Sequence, residues 1–194
     1  MKNRPLILAS SSIYRQQLLQ RLNLSFTSAS PDIDESPRLG ESPPQTALRL
    51  AEQKARALAA QFPDALIIGS DQVAVLQGRA IGKPGDHANA VKQLSAASGA
   101  VMYFHTAICL LDSASGKAQL ATATNEVKFR KLTTEQIERY LLAEKPYDCA
   151  GSAKSEGLGI ALIEYIRGDD VNALIGLPLI ELTTMLMNAS VEVI

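Results

Sequence analysis

Arg15, Lys54 and Lys83 lie in three separate stretches of the sequence, and Glu35 and Asp71 supply two carboxylates to match them. Residues of these types suit a polyphosphate carrying a divalent metal ion. The metal neutralises and polarises the phosphates, the cations take up the remaining charge, and a carboxylate orients or deprotonates water. Such chemistry needs the five side chains to meet in one place, so the elements that carry them matter as much as their identity.

Asp71 belongs to the run Leu66-Ile67-Ile68-Gly69-Ser70-Asp71-Gln72-Val73. Its apolar start reads as a buried strand, with the aspartate expected at the strand's end. Burial penalises a charged carboxylate, so an Asp there needs a cation, donors or a catalytic task, unless it is a turn or capping residue. Arg15 follows Ser10-Ser11-Ser12. That small polar loop between a strand and a helix start is a way of building an anion site, with a serine as N-cap. A cation in the first helical turn opposes the dipole, which an anion between them would relieve; a solvated arginine is the plainer alternative. Lys54 falls in the middle of the apolar stripe Ala47, Ala51, Leu58. It either snorkels out or meets a buried anion. Glu35 sits in the acidic, proline-bounded stretch 31–37, which is either a solvated loop or part of a Mg²⁺ site. Lys83, between Gly82 and Pro84, has a restricted backbone neighbourhood.

The remaining pattern is mixed. Strands are expected over 6–9, 26–29, 66–68 and 160–166. A hairpin turns at Gln77-Gly78, and a long antiparallel pair spans 101–111 and a partner ending near Phe129. Helices are expected from Ile13, over 44–60, from Asp86 to Ser98 with Ala88, Val91 and Leu94 inward, after the capping box at Thr133, and over 178–187. The loop 147–159 holds three glycines around Lys154 and Glu156, so backbone there can approach a ligand closely. His105 is given no role.

A hydrophobic content of 46% with 20% charged residues is that of a globular chain, read as one domain over 1–194. A net charge of −1 argues against binding a nucleic-acid polymer. Cys109 and Cys149 make no disulfide framework and fit a reducing compartment. The apolar run after Pro5 is too short for a secretion leader, and no segment is long enough to cross a bilayer. The expectation is a cytoplasmic protein without a membrane partner; a homodimer is left open.

In order along the chain, Leu8-Ala9-Ser10-Ser11-Ser12-Ile13-Tyr14-Arg15, Asp34-Glu35, Lys54-Ala55, Gly69-Ser70-Asp71-Gln72-Val73, Gly82-Lys83-Pro84 and Gly151-Ser152 resemble the Maf family of nucleoside triphosphate pyrophosphatases. Ser70-Asp71-Gln72 and the stretch Ala150-Gly151-Ser152-Ala153-Lys154-Ser155-Glu156-Gly157 look like its 7-methyl-GTP subgroup. The dTTP/UTP subgroup would be expected to carry threonine after the aspartate and glutamine in the late loop. The resemblance implies an elongated mixed α/β sheet flanked by helices, with two lobes around a cleft, like the inosine triphosphatases. It implies cleavage between the α and β phosphates with a divalent metal (Mg, Mn or Co). Asp71 would accept the proton, with Lys54 and Lys83 as catalytic cations. Glu35 and Asp71 would hold metal, and Ser10, Tyr14, Arg15, Gln72 and Glu156 would bind substrate. It also suggests a rival role as a nucleotide-binding regulator of septum formation. Two positions depart from the pattern: Ile13 replaces a proline, and Tyr14 replaces a tryptophan. A 7-methylguanine ring is cationic, so an aromatic face such as Tyr14 would attract it. A carboxylate such as Glu156 would accept charge-assisted hydrogen bonds from its N–H edge.

Overall fold

The computed structural model describes residues 4–194. A seven-stranded mixed sheet runs β2-β1-β3-β5-β6-β7, with β4 attached to β3. Its strands are β1 (Leu6–Ala9), β2 (Thr27–Ala29), β3 (Leu66–Leu76), β4 (Arg79–Ile81), β5 (Val101–Asp112), β6 (Ala118–Phe129) and β7 (Ile163–Arg167). Helices α1 (Ile13–Gln20), α2 (Pro43–Ala57), α3 (His87–Ala97), α4 (Thr134–Glu144), α5 (Val171–Ile175) and α6 (Leu179–Asn188) cover it. The mixed α/β class expected from the sequence is the one observed.

The spine is β3. It pairs antiparallel with β5 along all of its length, from Leu66↔Asp112 to Leu76↔Met102. Its other edge is shared. Parallel β1 occupies Leu66 to Gly69, and antiparallel β4 occupies Ala74 to Leu76. Among the described residues, 70–73 therefore have no strand beside them on that edge. Asp71 lies in this gap, inside the strand rather than at its end as the sequence suggested. Gly-Ser-Asp is poor strand material, and the unbroken ladder with β5 carries it through.

Alternation along β3 sorts the side chains. Ile67, with Ala9, Ala107 and Cys109, packs under Ala47, Ala51 and Ala55 of α2. Leu66 and Ile68 pack on the other face with Leu18 and Leu19 of α1 and Leu182 and Leu186 of α6. A third cluster, Leu94, Met102, Phe104, Phe129 and Leu141, fills the far end beneath α3 and α4. The cleft runs between that end and the first two.

Most local expectations hold. Ser12 caps α1, Asp86 caps α3 and Thr133 opens a capping box on α4. The Gln77-Gly78 turn has φ of 50° and 76°, the left-handed pair of a type I′ hairpin. Others are corrected. Helix α3 buries Ala90, Leu94 and Ala97 while Ala88 is exposed, because its many alanines leave more than one face apolar enough to bury. The strand expected over 160–166 starts only at Ile163, after a 3-10 turn at Leu158–Leu162. Helix α5 was not foreseen: five residues are too few to show a period. Among the described residues no helix is long and apolar enough to cross a membrane.

Candidate active site

The open stretch of β3 forms the floor of a cleft of about 920 Å³. Glycine prepares it. A Cβ on Gly69 would lie 2.0 Å from the backbone oxygen of Ala51, so α2 can press on β3 only because that position has no side chain. Two residues along the same face comes Asp71, and one turn along the helix from Ala51 comes Lys54. The Lys54 Nζ donates to Asp71 Oδ1 at 2.6 Å and reaches Glu35 Oε1 at 2.9 Å. Lys54 and Asp71 are both about 7% exposed, whereas the Glu35 side chain is 59% exposed. The lysine in the apolar stripe thus meets a buried anion, and the anion is the protein's own carboxylate.

Burial pushes the Asp71 carboxyl above its ordinary value. Lys54 and Arg15 pull it back and Glu35 adds to the rise. An ammonium at 2.6 Å would by itself hold a carboxylate low; here desolvation outweighs it. Arg15 shows the mirror effect, with burial lowering its guanidinium and the charges of Asp71 and Glu35 raising it. It stays cationic, as arginine does. Its Nε donates to the Gly176 carbonyl at 2.8 Å, which aims the rest of the fork at the cleft. Ser10 is buried, and its Oγ accepts from the Ser12 amide at 3.1 Å, fixing the serine loop before α1.

Lys83 stands across the cleft, exposed after β4. Tyr14 lines the wall. Its hydroxyl donates to Asp148 Oδ2 at 3.2 Å, and the Lys154 ammonium lies over its ring, 5.3 Å from the centroid. Lys154 also pairs with Glu144 at 3.3 Å. Glu156 is exposed at the cleft's rim. Gln72 points to the face opposite Asp71. Its Nε2 donates to Thr106 Oγ1 at 2.8 Å and to the carbonyls of Ala173 and Leu174 at 3.0 Å each, which leaves its Oε1 as the free end. All nine side chains singled out from the sequence line this one cleft. The partners that hold them were not foreseen: Asp148 on Tyr14, the Gly176 carbonyl on Arg15 and the α5 carbonyls on Gln72. They lie far away in sequence, where no spacing rule reaches.

Among the described residues no group of three or more His, Cys, Asp or Glu gathers into a metal cage. The donor chemistry of Glu35 and Asp71, two carboxylates converging on one cationic point, fits a hard divalent ion that takes its other ligands from water and phosphate.

A family model described as Maf-like protein matches residues 5–189. A protein named 7-methyl-GTP pyrophosphatase from Methylobacillus flagellatus is 58% identical over 190 residues, covering 98% of this chain and 99% of the relative. One of the same name from Cupriavidus pinatubonensis is 58% identical over 181 residues, covering 93% and 91%. One from Nitrosococcus oceani is 53% identical over 189 residues, covering 97% and 95%. Among solved structures, a HAM1 protein from Coxiella burnetii aligns with a TM-score of 0.50 at 14% identity, covering 95% of this chain and 99% of that one; this likeness concerns the fold alone.

Proposed function

The chain belongs to the Maf family, and from that membership we propose that it hydrolyses 7-methyl-GTP to 7-methyl-GMP and pyrophosphate. The observation that carries this reading is the buried Lys54–Asp71 pair on the open edge of β3, in a chain 58% identical to relatives bearing that name.

Arg15, Lys83 and Ser10 hold the phosphates along the cleft. Asp71 accepts a proton from water. The water oxygen attacks the α phosphorus, the bond from that phosphorus to the bridging oxygen breaks, and pyrophosphate leaves with the electron pair. Burial makes Asp71 a stronger base than an exposed aspartate, and Lys54 keeps it ionised and aimed. Glu35 and Asp71 would hold a divalent cation (Mg, Mn or Co), which would supply charge neutralisation and polarisation of the phosphates. Tyr14 offers its face to the cationic base; that this face attracts cations is supported by Lys154 lying over it. Glu156 accepts from the guanine edge, and Gln72, whose amide nitrogen is held by Thr106 and α5, offers its Oε1 to the base. The activity on free nucleotides would be cytoplasmic.

A panel of 7-methyl-GTP, GTP, dTTP and UTP with Mg²⁺ or Mn²⁺, read by pyrophosphate release, tests this. The methylated nucleotide is expected to give the highest kcat/KM. Asp71→Asn is expected to lower kcat by about 10²–10⁴-fold, the range of a lost general base. Preference for dTTP or UTP would overturn the substrate, and near-normal turnover in Asp71→Asn would overturn the base.

A further inference from the structure

Glu35 sits on a loop without regular structure, unlike Arg15, Lys54 and Asp71, which α1, α2 and β3 carry. Residues 34–40 are all exposed, so no core holds them. Among the described residues, the side-chain hydrogen bonds and ion pairs that tie residues 31–41 to the rest of the protein all come from α2. Lys54 reaches Glu35 from the cleft side. Arg49 reaches the same loop from behind. Its Nη2 donates to the Ser36 carbonyl at 3.1 Å. Its fork grips Glu41, with Nε to Oε1 at 2.5 Å and Nη2 to Oε2 at 2.7 Å. The remaining Nη1 donates to Gln53 Oε1 at 2.9 Å, one helical turn on, which keeps the guanidinium flat against its helix. Glu41 in turn accepts from the Arg38 amide at 3.2 Å and from Thr46 Oγ1 at 3.2 Å, closing the loop on itself. Arg49 does not line the cleft. It borders a separate hollow of about 440 Å³ behind the loop, together with Asp34 and Ser36, the two neighbours of Glu35.

We propose that Arg49 is a positioning residue that fixes the backbone beside Glu35 and thereby sets the affinity of the cleft for its divalent cation. This rests on the reading of Glu35 as a ligand. A bidentate pair between a half-buried arginine and carboxylate is directional in a way a lysine cannot reproduce. Holding one loop from both sides defines where the intervening carboxylate points, while Lys54 alone would let it swing with the loop.

The test is Mn²⁺ binding to the nucleotide-free protein, followed by electron paramagnetic resonance, for wild type, Arg49→Met, Arg49→Lys, Glu35→Gln and the Glu35→Gln/Arg49→Met pair. Arg49→Met is expected to weaken Mn²⁺ about tenfold, as losing support behind a ligand typically does. Arg49→Lys should fall between it and wild type. In the Glu35→Gln background Arg49→Met should add less than about twofold, because the two act through one contact. In turnover assays the half-saturating Mn²⁺ concentration should rise more than kcat at saturation falls. Wild-type Mn²⁺ affinity in Arg49→Met beside a weakened Glu35→Gln would overturn the proposal. A full tenfold further loss in the double variant would do the same, since it marks general damage. Wild-type affinity in Glu35→Gln would instead overturn the assignment of Glu35 itself. Circular dichroism of each variant confirms that folded protein is compared.

Discussion

Asp71 carries two opposed demands. Its burial against α2 raises its basicity, and the same burial makes its charge costly to the fold. The raised carboxyl favours the folded state where it is protonated, at acid pH, and that contribution is lost as pH rises through the folded value. Near neutral pH the ionised group therefore works against stability, and Asp71→Asn is expected to melt no lower than wild type while losing turnover. A clear drop in Tm, measured by calorimetry, would show that the Lys54 pair is a net stabiliser. For the same reason the Asp71 carboxyl of the metal-free protein should titrate above the ordinary aspartate value of about 3.9, which NMR of the side-chain carboxyls would follow. Titration at or below that value would show that Lys54 outweighs the burial. The sequence announced Lys54 through its misplaced position on an apolar stripe, and left open what anion it meets. It could not announce Lys154 over Tyr14 or Arg49 on Glu41, since pairs so separated obey no period.

At the scale of elements, the contact of α2 with β3 decides whether the charged cluster exists. Gly69 permits it. Gly69→Ala would drive a methyl group into the Ala51 carbonyl and the Ala55 amide, backbone atoms that cannot rotate away. The helix must then lift, at a cost of about 3 kcal/mol, the upper end of ordinary overpacking. Chemical denaturation should show a lower midpoint with an unchanged slope, together with a loss of activity out of proportion to the fraction unfolded, because Lys54 lifts with the helix. Unchanged stability would mean that the helix shifts freely. Strands, caps and the Gln77-Gly78 hairpin were readable because each is decided within a few residues. The extension of β3 through Asp71 was not, because β5 imposes it from 36 residues further along at Asp71↔Ala107. The inward face of α3 was ambiguous for a different reason: alanine fits a core and a surface almost equally well.

For the molecule as a whole, one feature of the sheet governs how the cleft works. The floor of the cleft is a strand that, among the described residues, misses a neighbour for only four residues and is laced to β5 throughout, as β5 is laced to β6 from Val101↔Lys128 to Leu111↔Ala118. The lobes on either side are joined by these unbroken strands, with no linker at which one could swivel against the other. Substrate therefore meets an anvil, not a jaw, and whatever yields on binding must come from the rim, the stretches 31–42 and 148–158. Hydrogen exchange would read this directly. Amides of β3 and β5 should stay equally slow with and without nucleotide, while the rim stretches slow down on binding; faster exchange along β3 during turnover would mean that the floor itself gives.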